Sequence, residues 1–190
     1  MKKVKVLLGD PRHNTRGLHS SMVPINIGYI GEFLKARIKE VDIELKLATD
    51  PEEILVLLQN WQPNVIGISN YVWNSALSNL ICTYAKKINA DTLCILGGPE
   101  FPAGTGAIKI ENTSKDKTYD KCLDYLIERK SVDYFAYSDG EVVFVEILKK
   151  FIENNYSPKK MKDKNQSIKG CVSVSKDKKK LLVGNYFPRI

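Results

Sequence analysis

The chain has 190 residues, 43% of them hydrophobic and 27% charged, an ordinary globular balance that suggests neither a disordered nor a membrane class. That length holds one main domain of roughly 100 to 200 residues plus an appendage. The formal net charge is +7, but the lysines crowd the last part of the chain (Lys159, Lys160, Lys162, Lys164, Lys176, Lys178, Lys179, Lys180) without interleaved aromatics, which reads as solvated surface and not as a nucleic-acid interface.

The first residues, Met1-Lys2-Lys3 and a short apolar run, are too short and interrupted for a signal-peptide core. No run approaches the roughly 20 apolar residues of a membrane span. A cytoplasmic protein without membrane contact is expected. Cys82, Cys94, Cys122 and Cys171 are scattered, with no spacing suited to a shared metal or iron–sulfur cluster, so free thiols are expected and no metal ligands are assigned.

In chain order, short β-branched runs alternate with amphipathic stretches, the pattern of βαβ units around a parallel sheet. The first strand covers 4–8 and ends in Gly9-Asp10-Pro11. After a loop over 10–23, Pro24 leads into a helix with Ile27, Ile30, Phe33, Leu34 and Ile38 on one face. The second strand covers 43–48. Asp50-Pro51-Glu52-Glu53 then combines an N-cap, a proline at the first helical position and early acids, which predicts a helix to about Trp61. The run Val65-Ile66-Gly67-Ile68-Ser69 is nearly all apolar, as expected of a central strand covered on both faces.

A third helix is expected over 74–88 with Leu77, Leu80, Ile81 and Tyr84 inward, then a fourth strand over 93–96 ending in Gly97-Gly98-Pro99. A longer connection with Gly104 and Gly106 leads to a helix over 119–129, a fifth strand over 134–137, the turn Ser138-Asp139-Gly140-Glu141 and a closing helix over 142–151. The expectation is a doubly wound, five-stranded parallel sheet over residues 1–155, Rossmann-like or flavodoxin-like. Residues 156–190 read as a lysine-rich linker and a small β-hairpin (170–174 and 181–183) leading to a further domain.

In open parallel sheets ligands bind beyond the strand C-termini, so the loops there are the candidate site. Gly97 and Gly98 let backbone approach a large flat or phosphate-bearing ligand. Ser69, Asn70 and Tyr71 offer a hydroxyl, an amide and a ring, and Gly140 with Glu141 turns into a helix N-terminus. Taken singly each has a structural explanation: a plain turn, a loop cap, a helix-dipole acid. The P-loop, Gly-x-Gly-x-x-Gly and Gly-x-Ser-x-Gly patterns do not occur, and Ser69 stands where a response regulator would carry its phosphoacceptor aspartate.

The succession Pro24-x-x-Ile27-Gly28-Tyr29-Ile30-Gly31-x-Phe33-Leu34, Pro63-Asn64-Val65-Ile66-Gly67-Ile68-Ser69, Leu96-Gly97-Gly98-Pro99 and Asp133-Tyr134 to Gly140-Glu141 resembles the N-terminal cobalamin-binding domain of radical-SAM enzymes, over about residues 1–155. The resemblance implies a corrinoid held base-off, its nucleotide tail buried, by Ser69, Asn70, Tyr71, Gly97, Gly98, Pro99, Gly140 and Glu141. It implies a non-catalytic domain of a methyltransferase-like enzyme. The radical-SAM barrel, with its iron–sulfur cluster and S-adenosylmethionine, is expected past residue 190. The family's Gly-Glu-Gly-Glu turn is here Ser138-Asp139-Gly140-Glu141, which keeps alive a degenerate domain that binds no corrinoid and serves docking or substrate positioning. The cobalt-ligating Asp-x-His-x-x-Gly of other carriers has its nearest match in Asp10, His13 and Gly17, with both spacings one residue too long, so His13 reads as a loop histidine. A flavodoxin-like electron carrier is the third reading, weakened by a first loop without a Ser/Thr-rich phosphate cradle.

Overall fold

A computed structural model describes residues 1–12, 23–103 and 117–185. Seven strands form one sheet: β1 (Lys3–Gly9), β2 (Asp42–Ala48), β3 (Val65–Ser69), β4 (Leu93–Gly97), β5 (Tyr134–Ala136), β6 (Cys171–Val174) and β7 (Leu181–Val183). Their order is β2-β1-β3-β4-β5-β6-β7. The first five pair in parallel, and β6 and β7 continue the sheet antiparallel. The helices are α1 (Ile25–Arg37), α2 (Pro51–Asn60), α3 (Ser75–Ile88), α4 (Lys117–Glu128), α5 (Gly140–Glu153) and α6 (Pro158–Asp163).

Strand alternation sorts the core into two layers. Val6, Leu8, Val65, Ile95, Tyr134 and Ala136 face α1, α5 and α6, where Leu34, Phe144, Leu148 and Met161 meet them. Leu7, Ile66, Ile68, Cys94, Leu96 and Phe135 face α2, α3 and α4. Every residue of β3 is buried, as its apolar run requires of the central strand. Asp50 caps α2 as its sequence predicts, accepting the Glu52 N–H at 2.8 Å ahead of Pro51.

Three features depart from the sequence reading. The sheet has seven strands and not five, because the C-terminal hairpin hydrogen-bonds to the free edge of β5 through Phe135↔Val172 and Ala136↔Cys171. Tyr119 accepts the Leu181 N–H at 2.8 Å and Tyr137 donates to the Gly184 carbonyl, which fastens the hairpin from the α4 side. A Cβ on Gly184 would stand 1.8 Å from the Ile168 carbonyl oxygen, so the seat of β7 admits only glycine. The segment read as linker contains α6, capped by Ser157 and begun by Pro158. In α3, Leu80 is 62% exposed; Ser78, Cys82 and Ala85 are buried beside Ile81, so small side chains bring this helix onto the sheet. No helix among the described residues is long and apolar enough to cross a membrane.

Candidate functional site

The C-terminal ends of β1, β3, β4 and β5 open on a cavity of about 230 Å³ between the sheet, α1 and α5. Its floor is built from one face of the sheet in two neighbouring rows: Leu8 pairs with Gly67 and Gly67 with Ile95, and, two residues further along that face, Gly97 pairs with Ala136. Ile27 and Ile30 of α1 and Phe144 of α5 form its apolar walls. Small residues make the space. A Cβ on Gly67 would lie 2.5 Å from the Phe144 ring, and one on Gly140 would lie 2.9 Å from Ile30 Cδ1. Side chains at these positions would force the helices off the sheet.

The mouth is polar. Asn26, Ser69, Tyr71, Ser138 and Glu141 line it, and no lysine, arginine or histidine does so among the described residues. A group that enters the floor therefore meets an apolar, uncharged surface, and polar atoms meet it only at the rim. Beside the mouth, Tyr71 and Trp73 stack at 4.6 Å, and Val72 and Trp73 are exposed.

Of the eight residues expected to bind cofactor, Ser69, Tyr71, Gly97, Gly98, Gly140 and Glu141 line this cavity. Asn70 and Pro99 do not. Asn70 is fully buried, and its Nδ2 donates to the Glu100 carbonyl at 2.6 Å and to the Tyr125 hydroxyl at 2.9 Å, on the α4 side. Its backbone N–H donates to the Gly97 carbonyl at 2.7 Å, and its carbonyl accepts from the Glu100 N–H at 3.1 Å. Asn70 thus splices the loops after β3 and β4. Gly98 has φ +137°, and a Cβ there would stand 2.5 Å from the Asn70 carbonyl oxygen, so this splice needs glycine. Pro99 is an exposed residue of the same turn.

Ser69 is engaged as well, because its hydroxyl donates to Asp10 at the end of β1. Asn74 completes this junction: its Nδ2 donates to the Pro11 carbonyl at 3.1 Å and its Oδ1 accepts the Tyr71 N–H at 2.7 Å. Arg12 approaches Asp10 at 3.8 Å. Asp10 and Pro11 after β1, Asn70 to Asn74 after β3 and the turn to Glu100 after β4 are therefore one hydrogen-bonded rim. His13 and the Gly-containing connection at Gly104 and Gly106 lie outside the described residues.

The sequence reading missed the floor residues Leu8, Gly67, Ile95 and Ala136 and the rim residues Asn26 and Ser138. Parity was the available signal: Gly67 and Ile95 stand two residues before Ser69 and Gly97 and share their face. The four cysteines are buried free thiols. Burial pushes the Cys94 and Cys171 thiols well up, with Cys82 and Asp133 adding to the effect at Cys94 and Glu146 at Cys171, so both are neutral core fillers near pH 7. Among the described residues no group of three His, Cys, Asp or Glu side chains could hold a metal ion.

No protein-family model matches the chain, and no curated protein sequence matches it.

Proposed function

We propose that this chain is a cytoplasmic cobalamin-binding module of a radical-SAM enzyme, holding the corrinoid base-off at the C-terminal edge of its sheet and presenting it to a radical-SAM domain. The observation that carries this reading is the cavity between β1, β3, β4, β5, α1 and α5, whose floor is apolar and free of cations among the described residues and whose glycine-shaped walls fit a flat neutral aromatic group such as a dimethylbenzimidazole tail. The β2-β1-β3-β4-β5 order, with helices on both faces, supports it further, since doubly wound sheets of this flavodoxin-like order take ligands at that crevice.

In this reading Leu8, Gly67, Ile95, Ala136 and Phe144 enclose the tail, and Ser69, Tyr71, Gly97, Gly98, Gly140 and Glu141 border it. Asn70 acts from behind, by fixing the two loops. When bound, the corrinoid supplies the cobalt-centred chemistry; the residues of this chain bind, orient and shield it.

The test is to incubate the protein with hydroxocobalamin, desalt it and record the absorbance of the protein fraction. Retained corrinoid with a base-off spectrum is expected, and Ala136→Leu, which fills the floor, should abolish retention while leaving the circular-dichroism spectrum unchanged. No retention by the full-length protein would overturn the reading in favour of a docking domain without corrinoid. A retained spectrum with histidine on cobalt, lost in His13→Ala, would overturn the base-off assignment.

A further inference from the structure

A second concavity, of about 380 Å³, lies at the opposite edge of the sheet, beside the N-terminal end of β5. Lys86 of α3, Lys130 of the α4–β5 connection, Lys159 and Lys162 of α6, and Lys176 and Lys178 of the β6–β7 turn converge on it. Among the described residues only two acids, Asp133 and Asp163, line it with them. Both acids are already engaged. Asp133 is nearly fully buried and pairs with Lys86 at 2.8 Å and Lys162 at 2.7 Å, and Asp163 pairs with Lys176 at 2.7 Å. Lys176, with Lys159 beside it, holds the Asp163 carboxyl below its usual range, so this acid is ionised and committed. Asp177, next in the turn, accepts the Ser175 hydroxyl at 2.6 Å and the Lys179 N–H at 3.2 Å.

Lys130, Lys159 and Lys178 make no ion pair among the described residues, and all three are exposed at this rim. Segments distant in sequence thus bring surplus cations to one hollow, an arrangement that self-repels until a counter-ion enters. The walls between the lysines are Leu126, Val132, Pro158 and Val174, and among the described residues the lining contains no aromatic side chain. Its volume lies within the roughly 300–1,000 Å³ of small-molecule pockets. Among the described residues that lining therefore offers no stacking platform for single-stranded nucleic acid.

We propose that this hollow binds a small, soluble, multiply charged phosphate compound, with Lys130, Lys159 and Lys178 as its principal cationic contacts. The site is independent of the corrinoid reading, because it shares no lining residue with the upper cavity.

The probe is inorganic tripolyphosphate, titrated calorimetrically at low and at physiological salt. Saturable one-to-one binding is expected, weakened at least about 10-fold in the triple variant Lys130→Glu, Lys159→Glu, Lys178→Glu. The charge-matched triple variant Lys3→Glu, Lys35→Glu, Lys39→Glu should change it by less than about 2-fold once salt screens distant charges. In the unmodified protein, tripolyphosphate should protect Lys130, Lys159 and Lys178 from acetylation as read by mass spectrometry, a measurement that does not depend on how a variant folds. Equal loss in both triple variants, or no lysine protection, would overturn the site. So would a single-stranded RNA or anionic phospholipid vesicles that displaced tripolyphosphate with the same lysine dependence, because the partner would then be a polymer or a membrane.

Discussion

The two ends of the same parallel strands carry opposite chemistry. At the C-terminal ends the sheet opens on a cavity made by the lack of side chains, at Gly67, Gly97 and Gly140, and bounded by hydrogen-bonded loops with no cation on its lining among the described residues. At the other end the hollow is made by long side chains, six of them lysines, and half of its border comes from the appended α6 and β6–β7 segments. The upper site is shaped by backbone and small residues, with the Asp10 carboxylate tying its rim. The lower site is held by the buried Asp133 carboxylate between two lysines, so a change of charge there bears on the whole hollow.

The largest expected effect falls on that carboxylate. Asp133 accepts the Cys94 N–H at 2.8 Å besides its two lysines. Asp133→Ala leaves a buried amide and two ammonium groups without it. Removing one partner of a buried pair costs 3–5 kcal/mol; because Lys86 and Lys162 keep 19% and 38% exposure, about 3 kcal/mol is expected, read as a lower urea midpoint. A loss under about 1 kcal/mol would show that the lower end does not hang on this residue.

Next comes Gly98→Ala. The left-handed backbone and the contact with the Asn70 carbonyl together predict a loss of about 2 kcal/mol and weaker corrinoid retention, with tripolyphosphate binding unchanged. If both ligands were lost together, the two ends would not be independent.

The smallest effect at neutral pH belongs to Tyr134, which stands two residues before Ala136 on the same face of β5. Burial, with Asp133 and Cys171 adding to it, raises its hydroxyl pKa far above the ordinary tyrosine range. The unfolded chain therefore loses this proton first. Its contribution to stability is complete below about pH 10 and declines as the pH rises further. Tyr134→Phe should change stability at pH 7 by no more than about 1 kcal/mol and make its fall above about pH 10 shallower, as measured by denaturation at stepped pH.

How much of this was legible in the sequence depended on whether the signal was local. The apolar run at Val65 and the Asp50-Pro51 start of α2 act within a few residues, and each predicted its own structure. Gly98 adopts the positive φ that its sequence allowed, but the space beside it is taken by the Asn70 carbonyl. Ser69 and Asn70 were both expected in the site, yet adjacent positions at a strand end face opposite layers, so Asn70 turned to Tyr125 while Ser69 stayed with the cavity. The pairing of β6 with β5 depends on a free strand edge far away in sequence, which no pattern within the hairpin announces. The lysine hollow is wholly tertiary: Lys86 and Lys178 carry no mark of belonging together until α3 and the β6–β7 turn are brought side by side.

The splice at Asn70 has a further consequence. One side-chain and two backbone hydrogen bonds hold the turns after β3 and β4 in a single arrangement, a second side-chain bond ties Asn70 to Tyr125 of α4, and Gly98 makes the close approach of the turns sterically possible. The ordering entropy of that part of the rim is spent during folding, before any ligand arrives. A molecule entering the upper cavity meets a preorganised edge there, so little of its affinity is lost to freezing loops, and the rigidity sets what shape can enter.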